Sequence, residues 1–584
     1  MTFQTILHHK LARLPLLALA SATLLVAATG PQPIPHVATP AIDVPLMKDM
    51  VKTLSSDALE GRGPSTRAEP KVLDVIVAKF KAAGLKPGVP ASGGKRGGKP
   101  AGWLQDVPTV EMTGSKYTPL TITGGQNSKL GAPLSFAYGS EFVAGSYRVV
   151  PHTEIAPSEL VFVGHGVNAP ELGWNDYAGI DMHGKIAVIL VNDPDYRTEG
   201  EEGLFKGRRM TYYGRWTYKF EEAARQGAKG VLIVHDTFPA AYGWNVVQSS
   251  WSGAQYFVAK ANNAMDQTEV NGWVQLPVAQ KIFAAAGQDL GKLTEAATRK
   301  GFRAVPLGLK ASLSFDSAIR KSNSHNVVGI LPGKTRPSEY VLYTAHWDHL
   351  GICKPLGKPD AKGDGICNGA VDNATGVAAL AALAEANVKA GPAARSQVFV
   401  SVTLEESGLL GSEWYAQHPV YPLNRTVGGV NMDALAPTGA AHDYAMTGGD
   451  KSDLTAYFRK ALAENGLVET AEEHSERGHY YRSDHFSLAK RGVPMFDLGR
   501  GIDYVNGGKA AGAAASEDYV QHRYHQPSDE YSESWDWSGI KADVALFYKL
   551  GRTLATTTVW PNWHKTDEFR KARDASCASA KGGC

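Results

Sequence analysis

Short apolar runs rich in β-branched and aromatic residues alternate with helical patterns through the second half of the chain. Residues 339–345 (EYVLYTA), 397–404 (QVFVSVTL) and 427–432 (VGGVNM) each read as a buried strand. Between the first two lies 373–385 (NATGVAALAALAE), an alanine-rich helix, and residues 537–556 read as a last helix packed on the sheet. Nearer the start, 45–54 and 70–84 are amphipathic helices, the second stopped by Gly84 in C-cap position. Residues 322–333 read as a strand and turn, and the Gly/Lys/Pro stretch 88–102 as a surface loop. Strands interleaved with helices predict an α/β fold with a mixed, mostly parallel central sheet.

The apolar runs end in chemistry. His346 follows the first strand, with Asp348 two residues on; Asp372 precedes the alanine-rich helix; Glu405 and Glu406 close the second strand; Asp433 closes the third; and His525 lies in a polar loop. Neighbouring extended residues point opposite ways, so one glutamate can bind metal while the other faces a substrate water. Asp348 is placed to accept the second ring N–H of His346. Singly, each motif has a plain reading: an incidental His-x-Asp, a solvated Glu-Glu, an N-cap, a surface imidazole. Their joint order is what a two-metal hydrolase needs, with carboxylates and imidazoles for the ions and one carboxylate free to take a proton.

These motifs resemble peptidase family M28, zinc peptidases that include aminopeptidases. The resemblance implies a zinc-exopeptidase fold. It also implies two zinc ions, one held by His346, Asp433 and Asp372 and the other by Glu406, His525 and the same Asp372. It makes Glu405 the general base and Asp348 the partner of His346. Tyr480, three residues before Ser483, matches the family's near-site tyrosine, with Tyr481 adjacent. Mixed imidazole and carboxylate ligands suit zinc, while cobalt or manganese fit similar sites. Residues 59–63 (LEGRG) resemble a segment near the start of many M28 catalytic domains. Residues 160–166, 176–181, 184–191 and 223–234 resemble a β-rich protease-associated (PA) domain inserted in the peptidase. The implied organisation is a catalytic first part at 45–150, the PA-like insert at 151–308, a second catalytic part at 309–563 and a tail at 564–584. His165 and His235, at strand ends without partners, read as structural.

At 584 residues, two or more domains are expected. A net charge of +2 offers no field for nucleic acid. Residues 1–30 carry an early basic cluster, an apolar run and then prolines, the pattern of a secretory signal, and no later segment is apolar enough to span a bilayer. Export, to the periplasm or outside, makes the four cysteines a disulfide set, with Cys353–Cys367 and Cys577–Cys584 the simplest pairing. No HExxH helix or G-x-S-x-G elbow is present. The leading function is an aminopeptidase acting on short peptides. Arg482 and Arg500 could instead meet a substrate carboxylate, which keeps a carboxypeptidase or dipeptidase open. A glutaminyl cyclase of the same fold and a non-catalytic binding protein are both disfavoured by the complete ligand and base set. The sequence leaves the oligomeric state open.

Overall fold

A computed structural model describes residues 34–91, 101–125, 130–353, 365–579. The expected leader at 1–30, most of the 88–102 loop, and Cys584 lie outside the described residues. Five strands position the site: β1 (Val305–Leu331), β2 (Arg336–His346), β3 (Arg395–Val402), β4 (Thr426–Asn431) and β5 (Met495–Phe496). Their order is β5-β4-β2-β3-β1. β2 runs parallel to both β3 and β4, β4 runs parallel to β5, and β1 alone is antiparallel to its neighbour β3. Leu342 lies opposite Val398 on one side and Gly429 on the other. β2, β3 and β4 therefore finish at one edge of the sheet, the edge where open α/β sheets build their sites.

Every residue of β3 and β4 is buried, as expected of parallel strands covered on both faces. The cover on one side is helix α1 (Gly376–Lys389), packed against helices Val44–Leu54 and Glu69–Ala83 and against α2 (Ser538–Thr556), which also lies on β2 and β4. α1 is apolar almost all round and is correspondingly buried along nearly its whole length. The predicted helices at 45–54, 70–84 and 537–556 are present within one residue at each end, and Gly84 caps the second at φ 92°.

β1 is far longer than the strand expected at 322–333. Its first half alternates between exposed and buried positions, one face of a sheet, and its last residues are buried almost continuously. It pairs with His152–Phe162 over residues 305–316 and with β3 over 327–331. One strand thus joins the site-bearing sheet to a second run of parallel strands, His152–Phe162, Ile186–Leu190, Gly230–His235 and Val270–Gln275, closed by antiparallel Phe142–Gly145. Alternate residues of these strands feed cores on opposite faces: Phe162, Val188 and Leu232 on one, Val161, Ile189 and Ile233 on the other. His165 and His235 each bond a backbone carbonyl, of Asn192 at 2.9 Å and of Tyr242 at 3.1 Å, consistent with a structural role.

Candidate metal centre

The cluster is built around Asp372. Its two carboxylate oxygens face different imidazoles: Oδ1 lies 3.3 Å from His346 Nε2, and Oδ2 lies 3.3 Å from His525 Nε2. Asp433 Oδ1 closes the first group at 3.2 Å from the same His346 nitrogen. Glu406 Oε2 closes the second at 3.1 Å from His525 Nε2. All five residues expected to hold metal are therefore brought together, with Asp372 between the two halves. The strand expected at 397–404 stops at Val402, and Glu405 and Glu406 lie in the turn just beyond it, after Leu404 at φ 56°; the Glu405 carboxylate belongs to neither group.

The loop that carries Asp372 is fixed from both sides. Asp529 accepts the backbone N–H groups of Val371 at 3.0 Å and of Asp372 at 3.0 Å. Arg62, fully buried, donates to the carbonyls of Trp347 at 2.8 Å, Leu54 at 2.9 Å and Gly369 at 2.8 Å, and also to that of Asn368. This arginine belongs to the 59–63 segment. Gly61 there sits at φ 67°, where an added Cβ would fall 2.5 Å from the Cys367 carbonyl oxygen, so only glycine fits the turn. Cys367 is bonded to Cys353 with a Cα–Cα distance of 5.7 Å, the first of the expected pairings. The second involves Cys584, outside the described residues.

Asp348 has a different partner from the one its spacing suggested. The second ring nitrogen of His346 is 3.2 Å from the Asp348 backbone carbonyl and 3.8 Å from its carboxylate. The carboxylate instead accepts the backbone N–H of Glu405 at 3.1 Å and of Glu406 at 3.3 Å. Asp348 thus ties the end of β2 to the end of β3, fixing His346 through its main chain and the glutamates through its side chain. Burial pushes its carboxyl up to about 7.

His349 escaped the sequence reading. Its Nδ1 lies 2.6 Å from Glu406 Oε1, its other ring nitrogen has no partner, and the ring is buried. With Asp372 and Glu406 it forms a second group of convergent ligand atoms, alongside His346, Asp372 and Asp433. The only sequence signal was its place three residues after His346.

Tyr480 is not brought to this cluster. Its ring packs with Tyr481, Phe569 and His485, and its hydroxyl is buried without a partner. Tyr481 donates to Glu568 at 2.9 Å. Tyr524 stands beside the cluster, its ring stacked on His525 with centroids 3.9 Å apart. Arg500 is committed elsewhere, 3.0 Å from Asp543 and bonded to the Gly439 and Ala436 carbonyls.

Against burial, which lowers it, Asp433, Glu405 and Asp372 hold the His346 imidazole well above its ordinary range. Against burial likewise, Asp372 and Glu406 push His525 up to about 10. Burial, with Asp433, Glu406 and Asp484 nearby, raises Glu405 well above the usual carboxylate range although His346 opposes it. Negative charge is crowded here beyond what the imidazoles offset, and cations bound at the two halves would balance it. Oxygen and imidazole donors suit zinc. The residues present therefore fit a metal in each half.

A cavity of about 1070 Å³ opens in front of this edge, walled by the site on one side and by residues 144–147, 215–221 and 250–264 on the other. Glu405, Glu406, His349 and Tyr524 face it.

Residues 326–549 match the sequence profile of peptidase family M28. Aminopeptidase NAALADL1 of Rattus norvegicus is 31% identical over 134 residues, 22% of this chain and 16% of the relative, so the matched part spans only about a sixth of that protein. Among solved structures, an aminopeptidase from Aneurinibacillus sp. strain AM-1 is similar at a TM-score of 0.46 and 18% identity, covering 89% of this chain and 96% of that one. A zinc aminopeptidase from Bacillus subtilis is similar at 0.40 and 17%, covering 91% and 100%. By the profile match, and by the order of the motifs inside it, the chain carries a peptidase domain of family M28 at residues 326–549.

Proposed function

We propose that the protein is an exported two-zinc aminopeptidase that releases N-terminal residues from short peptides. One observation carries this reading: the two oxygens of Asp372 face separate imidazoles at 3.3 Å each, while Glu405 stands in neither group. His346, Asp433 and Asp372 would hold one ion, and Glu406, His525 and Asp372 the other. When bound, the pair would supply Lewis-acid polarisation of the scissile carbonyl and acidify the attacking water. Glu405, free of both groups, would take a proton from the attacking water and return it to the leaving amine. His349 fixes the rotamer of Glu406, and Asp348 fixes the backbone on which both glutamates stand. The Tyr524 hydroxyl, at the cavity wall beside His525, replaces Tyr480 in this proposal as the donor nearest the developing oxyanion.

The PA-like segment 151–308 lines much of the far wall of the cavity and, on this reading, limits the size of chain that enters. Export is supported by the Cys353–Cys367 bond, which suits an oxidising compartment. Among the described residues no helix is long and apolar enough to cross a membrane.

The test pairs metal analysis with product identification. The reading expects two metal ions per chain and release of the first residue from an unblocked peptide but not from its N-acetylated twin. Equal cleavage of the blocked peptide would end the aminopeptidase assignment. One ion per chain with cyclisation of N-terminal glutamine would replace it with a cyclase.

A further inference from the structure

The cavity in front of the site holds four cationic side chains, and they divide into two kinds. Lys260 and Lys490 have acidic partners: Asp266 at 3.6 Å for the first, Glu221 at 3.5 Å and Glu413 at 3.4 Å for the second. Arg215 and Arg482 have none among the described residues. Arg215 is half-buried at the start of helix Trp216–Arg225, and its Nε is buried with no acceptor. Arg482 lies between Tyr481 and Ser483, and its exposed surface faces the cavity.

The segments that carry them meet: Tyr212, three residues before Arg215, packs against Tyr481, next to Arg482, with ring centroids 6.1 Å apart. Burial pulls Arg215 down to about 10, and Arg482 is the strongest charge acting on it, in the unfavourable direction. Burial also lowers Arg482, and the groups that oppose this are the hydroxyls of Tyr242 and Tyr524, with no carboxylate among them. Tyr524 in turn stacks on His525. Two like charges line one cavity, neither with an acidic partner among the described residues, one from the PA-like segment and one from the M28 domain, and an anion entering the cavity would balance them. A guanidinium pair matches the planar, bidentate geometry of a carboxylate.

We propose that Arg215 and Arg482 form a carboxylate-binding subsite of the catalytic cavity, so that the preferred substrates are peptides carrying a negative carboxylate close to the bond that is cut. This rests on the peptidase reading above and narrows its substrate class. The carboxylate has two sources: the free C-terminus of a di- or tripeptide, or an acidic side chain. The pairing of Arg500 with Asp543 removes the other arginine considered for this contact.

The full-length, metal-loaded protein is assayed on two matched pairs: Ala-Ala against Ala-Ala-amide, and Glu-p-nitroanilide against Gln-p-nitroanilide. The subsite predicts that the charged member of at least one pair is preferred by about 10- to 100-fold in kcat/KM, the range of a charge-assisted hydrogen bond. The first pair reports a C-terminal carboxylate and the second a side chain. In Arg215→Gln and Arg482→Gln that ratio falls toward unity through KM, and Arg482→Lys retains part of it. Ratios near unity in both pairs for the parent protein, or a preference unchanged in both glutamine variants, would overturn the proposal. The parent comparison needs no variant to fold. Cleavage of the uncharged members with no preference defeats the subsite alone, whereas no cleavage of any of the four defeats the peptidase reading with it.

Discussion

Replacing Arg62 with methionine removes a buried cation that touches no substrate, and the structure sets the size of the effect. The guanidinium makes four close bonds to main-chain carbonyls, those of Trp347, Leu54, Asn368 and Gly369, and a longer one of 3.5 Å to that of Asp372. Bonds to a charged donor contribute about 1.5 kcal/mol or more each, roughly 6 kcal/mol together. Burial offsets part of this: even with the Asp529, Asp372, Asp348 and Glu406 carboxylates opposing it, the group falls from 12.5 to about 10, a net cost of about 3 kcal/mol. The balance of about 3 kcal/mol rises when the carbonyls it leaves behind go without donors, so Arg62→Met is expected to lose about 3–5 kcal/mol. The same carbonyls flank Asp372, so metal affinity should fall about 10- to 100-fold, as for loss of other groups that orient a ligand. Urea unfolding of the metal-free proteins, followed by tryptophan fluorescence, reads the first quantity, and competition with a chromophoric chelator reads the second. A variant within about 1 kcal/mol of its parent that holds metal equally well would refute the argument that Arg62 clamps the Asp372 loop.

Three further outcomes follow from the site and its supports. Glu405→Gln should lower kcat by about 10²- to 10⁴-fold while metal content, measured by mass spectrometry, stays that of the parent. His349→Phe, which strips Glu406 of its 2.6 Å partner, should weaken metal binding about 10- to 100-fold in chelator titration with a smaller change in urea midpoint. The hydrogen bond to buried Glu69 raises His325, despite the opposing effect of burial, above its ordinary 6.5. That stabilisation is therefore complete below about 6.5 and is lost as pH rises through the higher folded value. His325→Gln should destabilise more at pH 5.5 than at pH 9 in parallel urea titrations.

Much of the candidate site was legible because its acids and imidazoles stand at or just past strand ends. A buried parallel strand is an unbroken apolar run, so the first acid or imidazole after it is conspicuous, as with His346, Glu405 and Asp433. Asp372 was legible for the complementary reason, as the last acid before a helix apolar on nearly every face. Contacts that depend on main-chain direction were not legible. Spacing alone put the Asp348 carboxylate on His346, whereas the chain turns so that its carbonyl takes that place and the carboxylate reaches the next strand. Adjacent aromatic residues defeat counting in the same way: the turn at 479–481 sends Tyr480 into an aromatic cluster, and Tyr524, from another segment, stands by His525. Arg215 could not be placed at the same cavity as Arg482 from sequence, since they come from distant parts of the chain.

The single strand Val305–Leu331 sets a mechanical condition on everything built across it. A flap on a flexible hinge can swing aside for a large guest, but a segment woven into the same ladder as its neighbour can move away only by breaking interstrand bonds. The two jaws therefore keep a set gauge, and the enzyme should sort its clients by girth before chemistry begins, admitting thin, frayed ends and turning away folded ones.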